Sequence, residues 1–461
     1  MSECPKENSA PNPLETRPIG RLLLEYSIPA ILGMTIVSIN QIISTIFIGY
    51  GIGNAGLAAM GITFPLSNLL IAFCQIAGTG GPSVCSLEMG RKNIRLAEHT
   101  LGQILTVQIT MGLLFGISSY IFLTPLLLLF GASPQTLPLA YDYMLWTVLS
   151  TPVSFVMIAL NNAARSSGYP AKALFTSLLC TVINTLLTPL FIFKLHWGMQ
   201  GAGAALAIAQ GIGVIWLLVH FCSPSSALSF RRNTFLPKFT IIRSIVSIGM
   251  SPFLLNAGSC LVVILLNRTL VTYGGDNAVG AFGIINRVIM LFSMSCVGLG
   301  QAMQPIAGYN YGADRPDRVR EALLKTTLVA FAFTAIGFLA SECCPQLLVS
   351  LFTDHDDLTT LSIHGLRLCN AAFFLVGPQM VTAVYYQSIG RAPLAMLLSV
   401  CRQFLFLTPC LLYLPTLFGL EGVWYSLPAS DSAAFLVTLL VFALNHKELL
   451  PIDKKQAANK A

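Results

Sequence analysis

Charge is what this sequence has least of. Only 10% of its 461 residues are charged, against 55% hydrophobic, and the mean hydropathy is +0.74. A soluble chain of this size covers its exterior with roughly a quarter charged residues. So low a charge content excludes a water-facing globule and leaves lipid as the main neighbour. Other absences narrow the reading. No GxxxxGK[ST] phosphate loop occurs, so ATP is not the expected energy source. The six His fall in loops or at the ends of apolar runs without metal-ligand spacing, and the twelve Cys form no CxxC pair, so neither a metal nor a resident cofactor is expected. Acids and His do not gather at one membrane face, which argues against a polytopic enzyme. Basic residues are not interleaved with aromatics, so the net charge of +7 points to no nucleic-acid partner. The first 21 residues are polar and Pro-rich and lack an apolar core followed by a small-residue cleavage site. They read as a cytoplasmic tail rather than a signal peptide.

What the sequence does contain is apolar runs of membrane length. Twelve can be drawn, at 22–49, 56–85, 100–123, 138–161, 170–193, 201–222, 241–270, 278–304, 322–341, 361–386, 393–415 and 421–444. The runs are continuous and lack a period of two, which selects helices over a barrel. Many carry a proline, among them Pro29, Pro65, Pro152, Pro252 and Pro378, and bends are expected there. Of the 26 Lys and Arg, 21 fall at the N-terminus, after every second run, or at the C-terminus. The intervening loops, such as YGIGNAG, GASPQTLP and VTYGGDNA, are nearly free of them. The positive-inside rule then puts both termini in the cytoplasm and requires an even number of spans.

The two halves resemble each other. NAGLAAMGITFPL…GRKNIRLAEHTL is echoed by DNAVGAFGIINRV…GADRPDRVREAL, pairing Gly61 with Gly283, Gly78 with Gly300, Gly90 with Gly312 and Leu101 with Leu323 at one offset of 222 residues. ARSSGYPAKAL and YQSIGRAPLAM keep the same offset. GMQGAGAALAIAQ and GLEGVWYSLPASD follow one residue out of step. Six spans separate equivalent positions, so the repeats share one orientation and are expected to be related by an axis along the membrane normal. The expected organisation is an N-terminal tail (1–21), a six-helix lobe (22–222), a cytoplasmic linker (223–240), a second six-helix lobe (241–445) and a C-terminal tail (446–461).

At this level of detail the chain resembles the MATE (multidrug and toxic compound extrusion) family, in its bacterial branch. The likeness rests on LLLEYSIPAILGM, IFIGYGIGNAGLAAMGITFP, NTLLTPLFIFKLHWGMQGAGAALAIAQ and GQAMQPIAGYNYGADRPDRV, and it extends from about residue 22 to 445. It implies an all-α polytopic fold of twelve transmembrane helices in two pseudo-symmetric lobes. It also implies antiport, in which entry of H+ or Na+ drives export of mostly cationic, amphipathic compounds. Two positions depart from the family. Ser44, in NQIISTIFIG, and Thr188, in INTLLTPLFIF, stand where many relatives carry the paired intramembrane aspartates of the first lobe. Hydroxyls neither titrate nor bring formal charge to a cation, so the usual coupling route through that lobe is in doubt.

Intramembrane polar groups are therefore the candidates for the substrate and cation pathway. In the first lobe these are Gln41, Ser44, Asn161, Asn184 and Thr188. Gln41 and Ser44 lie three apart and Asn184 and Thr188 four apart, so each pair shares a helical face. Interhelical polar bonding is the competing reading, preferred for Asn162 and Gln210. In the second lobe the candidates are Asn256, Asn286, Arg287, Gln301, Gln304, Arg402 and Asp431. Asp431 is expected either to pair with Arg402 or Arg287 or to act as the coupling carboxylate. Glu88 is expected to neutralise Arg91 or Lys92. The expected activity is monomeric, secondary active multidrug efflux in a bacterial inner membrane, with small organic cations and the lipid bilayer as partners. A flippase or exporter of lipid-linked, neutral or anionic solutes is the alternative, weakened because Arg287, Arg402 and Arg268 are the few cations available to hold a phosphate.

Overall fold

A computed structural model describes residues 13–223, 226–230, 232–350, 352 and 356–445. The expected C-terminal tail, the first twelve residues of the expected N-terminal tail, and part of the acidic DHDD run at 354–357 lie outside the described residues. The described chain is helical throughout and contains no strand. Ten helices are long and apolar enough to cross a bilayer: α1 (Ile19–Ile52), α2 (Asn54–Gly90), α3 (Ile94–Ile121), α5 (Pro170–Lys194), α6 (Gly198–Cys222), α7 (Phe239–Gly275), α8 (Asn277–Gly312), α9 (Pro316–Cys343), α11 (Ala392–Phe418) and α12 (Leu420–Asn445). Two further spans are bent pairs: α4 (Leu137–Leu149 with Thr151–Ser166, 56°) and α10 (Leu358–Asn370 with Phe373–Ser388, 44°). The twelve expected runs are thus all present. The ends of α4 and α10 differ from the expected runs because each span is broken, at Ser150 in one and at Ala371–Ala372 in the other.

The repeat is visible in the backbone. Gly53 (φ 81°) turns α1 into α2, and Gly275 (φ 64°), 222 residues on, turns α7 into α8. Both conformations lie in the left-handed region open to glycine. Lys92 and Asp314, again 222 apart, are left-handed as well (φ 59° and 56°). Only 6% of the most apolar stretch of α1 is buried, far less than in any other single-helix span, so α1 forms an open edge of its lobe.

The lobes fuse at the face that carries the basic loops and separate at the other. One hydrophobic core contains Val84, Cys85, Met89 and Leu101 from the first half together with Ile245, Ile306, Tyr309 and Ala322 from the second. Away from the basic face the core divides. One part, around Leu66, Met144 and Phe155, draws only on the first half, and another, around Leu270, Ile285 and Trp424, only on the second. A V closed on the basic side follows.

Small residues allow that closure, because two helices can touch backbone to backbone only where no Cβ intervenes. A Cβ built on Gly90 would strike Tyr309 O, and one built on Gly312 would strike Leu87 O. These two contacts are symmetry mates under the 222-residue offset. Ser86 sits against Gly308, its own mate, so the pseudo-twofold axis runs between them. Further in, Gly80 and Gly249 press on Ile245 O and Ile76 O, Gly298 rests on Ile31, and Phe73 meets Phe253 at 5.0 Å.

Two segments expected to be loose are folded onto this face. The turn Pro13–Thr16 precedes α1, which starts at Ile19 rather than 22, and Leu14 is fully buried. Arg318 Nη2 donates to Leu14 O (3.1 Å) and Arg17 O (2.7 Å), so the start of the first lobe is tied to the second. The linker 223–240 is also shorter than expected. Gln103 Nε2 on α3 donates to Thr234 O (2.9 Å) and Leu236 O (2.7 Å), Ser229 donates to Glu98 (2.9 Å), and α7 begins at Phe239.

Gly249→Val places a side chain against Ile76 O and is expected to cost about 1–3 kcal/mol of closure. Alkylation of a Ser86→Cys thiol, buried in the seam, should then speed up at least fivefold. Gly61→Ala, whose Cβ meets nothing within 4 Å, should leave both that rate and the melting temperature unchanged.

Candidate functional site

Three groups of polar side chains lie within the span region. The first is in the first lobe, where α1 faces α5. Ser44 Oγ donates to Asn184 Oδ1 (3.2 Å), and Thr185 Oγ1 donates to Asn40 Oδ1 (3.3 Å). Asn184 and Thr188 are buried one turn apart on α5, and Thr188 Oγ1 has no hydrogen-bond partner. Where the family resemblance implies two carboxylates, this chain has a neutral cluster in which Thr188 Oγ1 makes no hydrogen bond. Below it, α5 widens into a π-helical turn at Leu190–Lys194. Gln41 is exposed and makes no side-chain bond to this cluster. Asn161 is elsewhere, donating to Ala173 O (2.9 Å) and joining α4 to α5.

The second group is in the second lobe. Arg402 Nε donates to Asp431 Oδ1 at 2.7 Å, with the Asp431 side chain 5% exposed and that of Arg402 25%. Of the two partners expected for Asp431, Arg402 is the one present. Arg287 is exposed and lies 5.9 Å from the Phe352 ring, and Asn286 beside it is also exposed. Arg402 stands in the π-helical stretch Cys401–Leu407 of α11. Such insertions turn side chains out of the regular helical register and recur at functional positions. Gln403, next in the stretch, donates to Ser259 on α7 (3.1 Å) while its Oε1 stays buried without a partner. Asn256 donates back to Pro252 O in its own helix (2.8 Å). In the one-residue-shifted register of the last spans, the counterpart of Asp431 is Gln210, which bonds Ser154 across α4 and α6. Gln210 thus accepts from a neutral hydroxyl on α4 where Asp431 pairs with a guanidinium on α11.

The third group lies in the seam between the lobes. Pro82 has no N–H to offer Gly78 O, and Asn162 Nδ2 takes that carbonyl at 2.6 Å. The bond aims Asn162 Oδ1 at Arg165, whose Nη2 donates to it, while Arg165 Nη1 donates to Gln301 Oε1 on α8 of the other lobe. Three residues on, Gln304 Nε2 donates to Ser83 Oγ (2.6 Å) and Thr79 O (3.2 Å) on α2. Between these groups is a cavity of about 20 Å³, measured as room for the centre of a water molecule, lined by Thr79, Pro82, Arg165 and Pro305 among others. It holds about one water and is far too small for a drug. Sequence reasoning found Gln301 and Gln304 but took Arg165 only as a marker of orientation. Its place one turn after Asn162 on α4 was the available signal. Glu88 pairs with Arg91 at 2.7 Å, as expected.

Removing one partner of a buried ion pair strands the other charge. Arg402→Met is therefore expected to destabilise the protein in detergent by about 3 kcal/mol. Adding Asp431→Leu should recover most of that loss, as read from a double-mutant cycle of thermal midpoints.

Comparison with known proteins agrees with this architecture. The MatE family model matches residues 29–190 and 248–412, one block in each lobe. The chain is 26% identical over 442 residues to the multidrug export protein MepA of Staphylococcus haemolyticus, covering 95% of this chain and 96% of that protein. It is 23% identical to MepA of Staphylococcus aureus, at 96% and 97% coverage. Among solved structures, the MATE multidrug transporter DinF-BH, in a ligand complex, is 34% identical and superposes with a TM-score of 0.88, covering 94% of this chain and 97% of that one. With matched blocks in both lobes and relatives aligned nearly end to end, the chain belongs to the MatE family and is a multi-pass bacterial membrane transporter, not an enzyme.

Proposed function

We propose that this protein exports amphipathic, mostly cationic organic compounds by alternating access, driven by entry of H+ or Na+. It works as a monomer with the basic face, and so both termini, in the cytoplasm. The names of its relatives support the cargo: MepA is a multidrug export protein and DinF-BH a multidrug transporter. The V, closed on the basic side, supports the alternation, because in that state the space between the lobes communicates with the other side of the membrane.

One observation carries the reading of coupling. The first lobe holds Ser44, Asn184 and Thr188 where a charged pair is usual, and the described intramembrane carboxylate that remains is Asp431, buried against Arg402 in the second lobe. Coupling then runs through Asp431: an arriving cation or proton competes with the guanidinium for the carboxylate and loosens α11 from α12. The neutral cluster of the first lobe keeps a role in substrate contact, since hydroxyls and amides donate and accept without choosing a charge.

The test is uptake of a fluorescent organic cation by proteoliposomes under separately imposed H+ and Na+ gradients. Wild type should respond to one of the two. Asp431→Asn should lose at least tenfold of the gradient-driven rate, while Ser44→Ala should change apparent affinity more than coupling. Full gradient dependence in Asp431→Asn moves coupling elsewhere, and no response to either gradient removes the antiport reading.

A further inference from the structure

Arg165 has no part in the coupling route just described, yet its position is unusual. It stands in the last turn of α4, where a cation suits the helix dipole, and points into the seam between the lobes. Among the described residues no carboxylate pairs with it. Its partners are the neutral amide oxygens of Asn162 and Gln301. Asn162 lies on the same helix and moves with Arg165, whereas Gln301 belongs to the other lobe. Parting the lobes on the basic face therefore removes one of the two oxygens that hold this charge. While the seam is shut, the cavity beside it has room for about one water, so hydration of Arg165 from this cavity is limited to about one molecule.

We propose that Arg165 is a positioning residue for transport, latching the basic face shut through its hydrogen bond to Gln301 Oε1 and releasing it when water enters the seam. The partner chemistry fits a latch that must open in every cycle. A carboxylate at position 301 would give a charge-assisted, bidentate bridge that water matches poorly. An amide oxygen gives a bond that water can replace once it arrives. Gln304 adds a second bond of opposite sense, donating from the second lobe to Thr79 and Ser83 of the first. Each lobe thus presents both a donor and an acceptor to the other. The bend of α4 at Ser150 sets the half that carries Arg165, whose later residues Val156, Ala159, Leu160 and Ala163 pack in the core shared by both lobes, at an angle to the half that packs only in the first lobe.

The inference rests on alternating access but not on the cargo or the driving ion, so its main readout, the opening of the basic face, needs no substrate. Spin labels at Arg95 and Asp317, exposed in the first turns of α3 and α9 and related by the repeat offset, report the opening of the basic face. Cys4, Cys222, Cys343 and Cys344 are replaced by Ser to limit background labelling. Electron–electron double resonance in sealed proteoliposomes should show Arg165→Gln raising the ratio of long to short distances at least tenfold. Gln301→Glu should shift it the other way and lower kcat with little change in KM. Arg165→Lys, which keeps the charge but not the fork, should fall between wild type and Arg165→Gln. If imposed gradients move the wild-type distance but both Arg165→Gln and Gln301→Glu behave as wild type, the latch is refuted. If nothing moves the distance in any of these proteins, alternating access and the latch fall together.

Discussion

Where α2 and α8 meet, their backbones touch. The contact exists because Gly90, Gly308 and Gly312 lack a side chain at the points where the helices approach, and it is nearly self-complementary about an axis passing between Ser86 and Gly308. Lipid tails offer helices little incentive to associate, since they are as apolar as leucine, and close packing supplies much of what does. Because the glycines that touch the other lobe lie in the basic-side halves of their helices, the lobes meet there and diverge elsewhere. The placement of the polar groups follows from this geometry. The seam holds the groups that must be shielded from lipid and connected across lobes. The separated ends hold the groups that belong to one lobe each.

The two lobes share a frame but not a charge distribution. Asp431 and Gln210 occupy related places on the last span of each lobe but bond to different neighbours, Arg402 on α11 and Ser154 on α4, and the N-terminal cluster of Ser44, Asn184 and Thr188 is neutral throughout. A buried ion pair is costly to desolvate and gains stability only when its geometry is good. An amide–hydroxyl bond is cheaper and offers an arriving cation no charge. The asymmetry leaves one lobe with a buried charge pair and the other with neutral hydrogen-bonding groups. Backbone irregularities accompany both sites, as the π-helical turns below Thr188 and around Arg402.

Much of the fold could be read from the sequence, for reasons that hold in membranes generally. A span must be apolar for about 20 residues, which made the twelve runs visible, and the pairs Gly61 with Gly283 and Gly90 with Gly312 marked the repeat. The Asp431–Arg402 pair was readable because two opposite charges in adjacent spans have few ways to be satisfied. Other features left no such trace. The break at Ala371–Ala372 falls where hydropathy is continuous and the nearest proline, Pro378, comes several residues later, whereas the one at Ser150 was signalled by Pro152 just after it. Arg165 looked like one more basic residue at a span end, because whether such a residue faces water or a seam depends on what the other lobe brings to it. Leu14 and the linker read as polar connections, since their anchors, Asn310 and Arg318 for one and Gln103 for the other, are distant in sequence.

The way the linker docks has a mechanical consequence. Lys238 N reaches Gln103 Oε1 (3.4 Å) and α7 starts at the next residue, so little slack separates the anchored linker from the second lobe. The strand of chain around Leu14 crosses back from the second lobe to α1 on the same face. Both leashes between the lobes are thus short and lie on one side. Opening toward the side without leashes stretches neither, whereas opening on the leashed side must lengthen or detach both, so the two directions in which the lobes could part are mechanically unequal before any ligand binds.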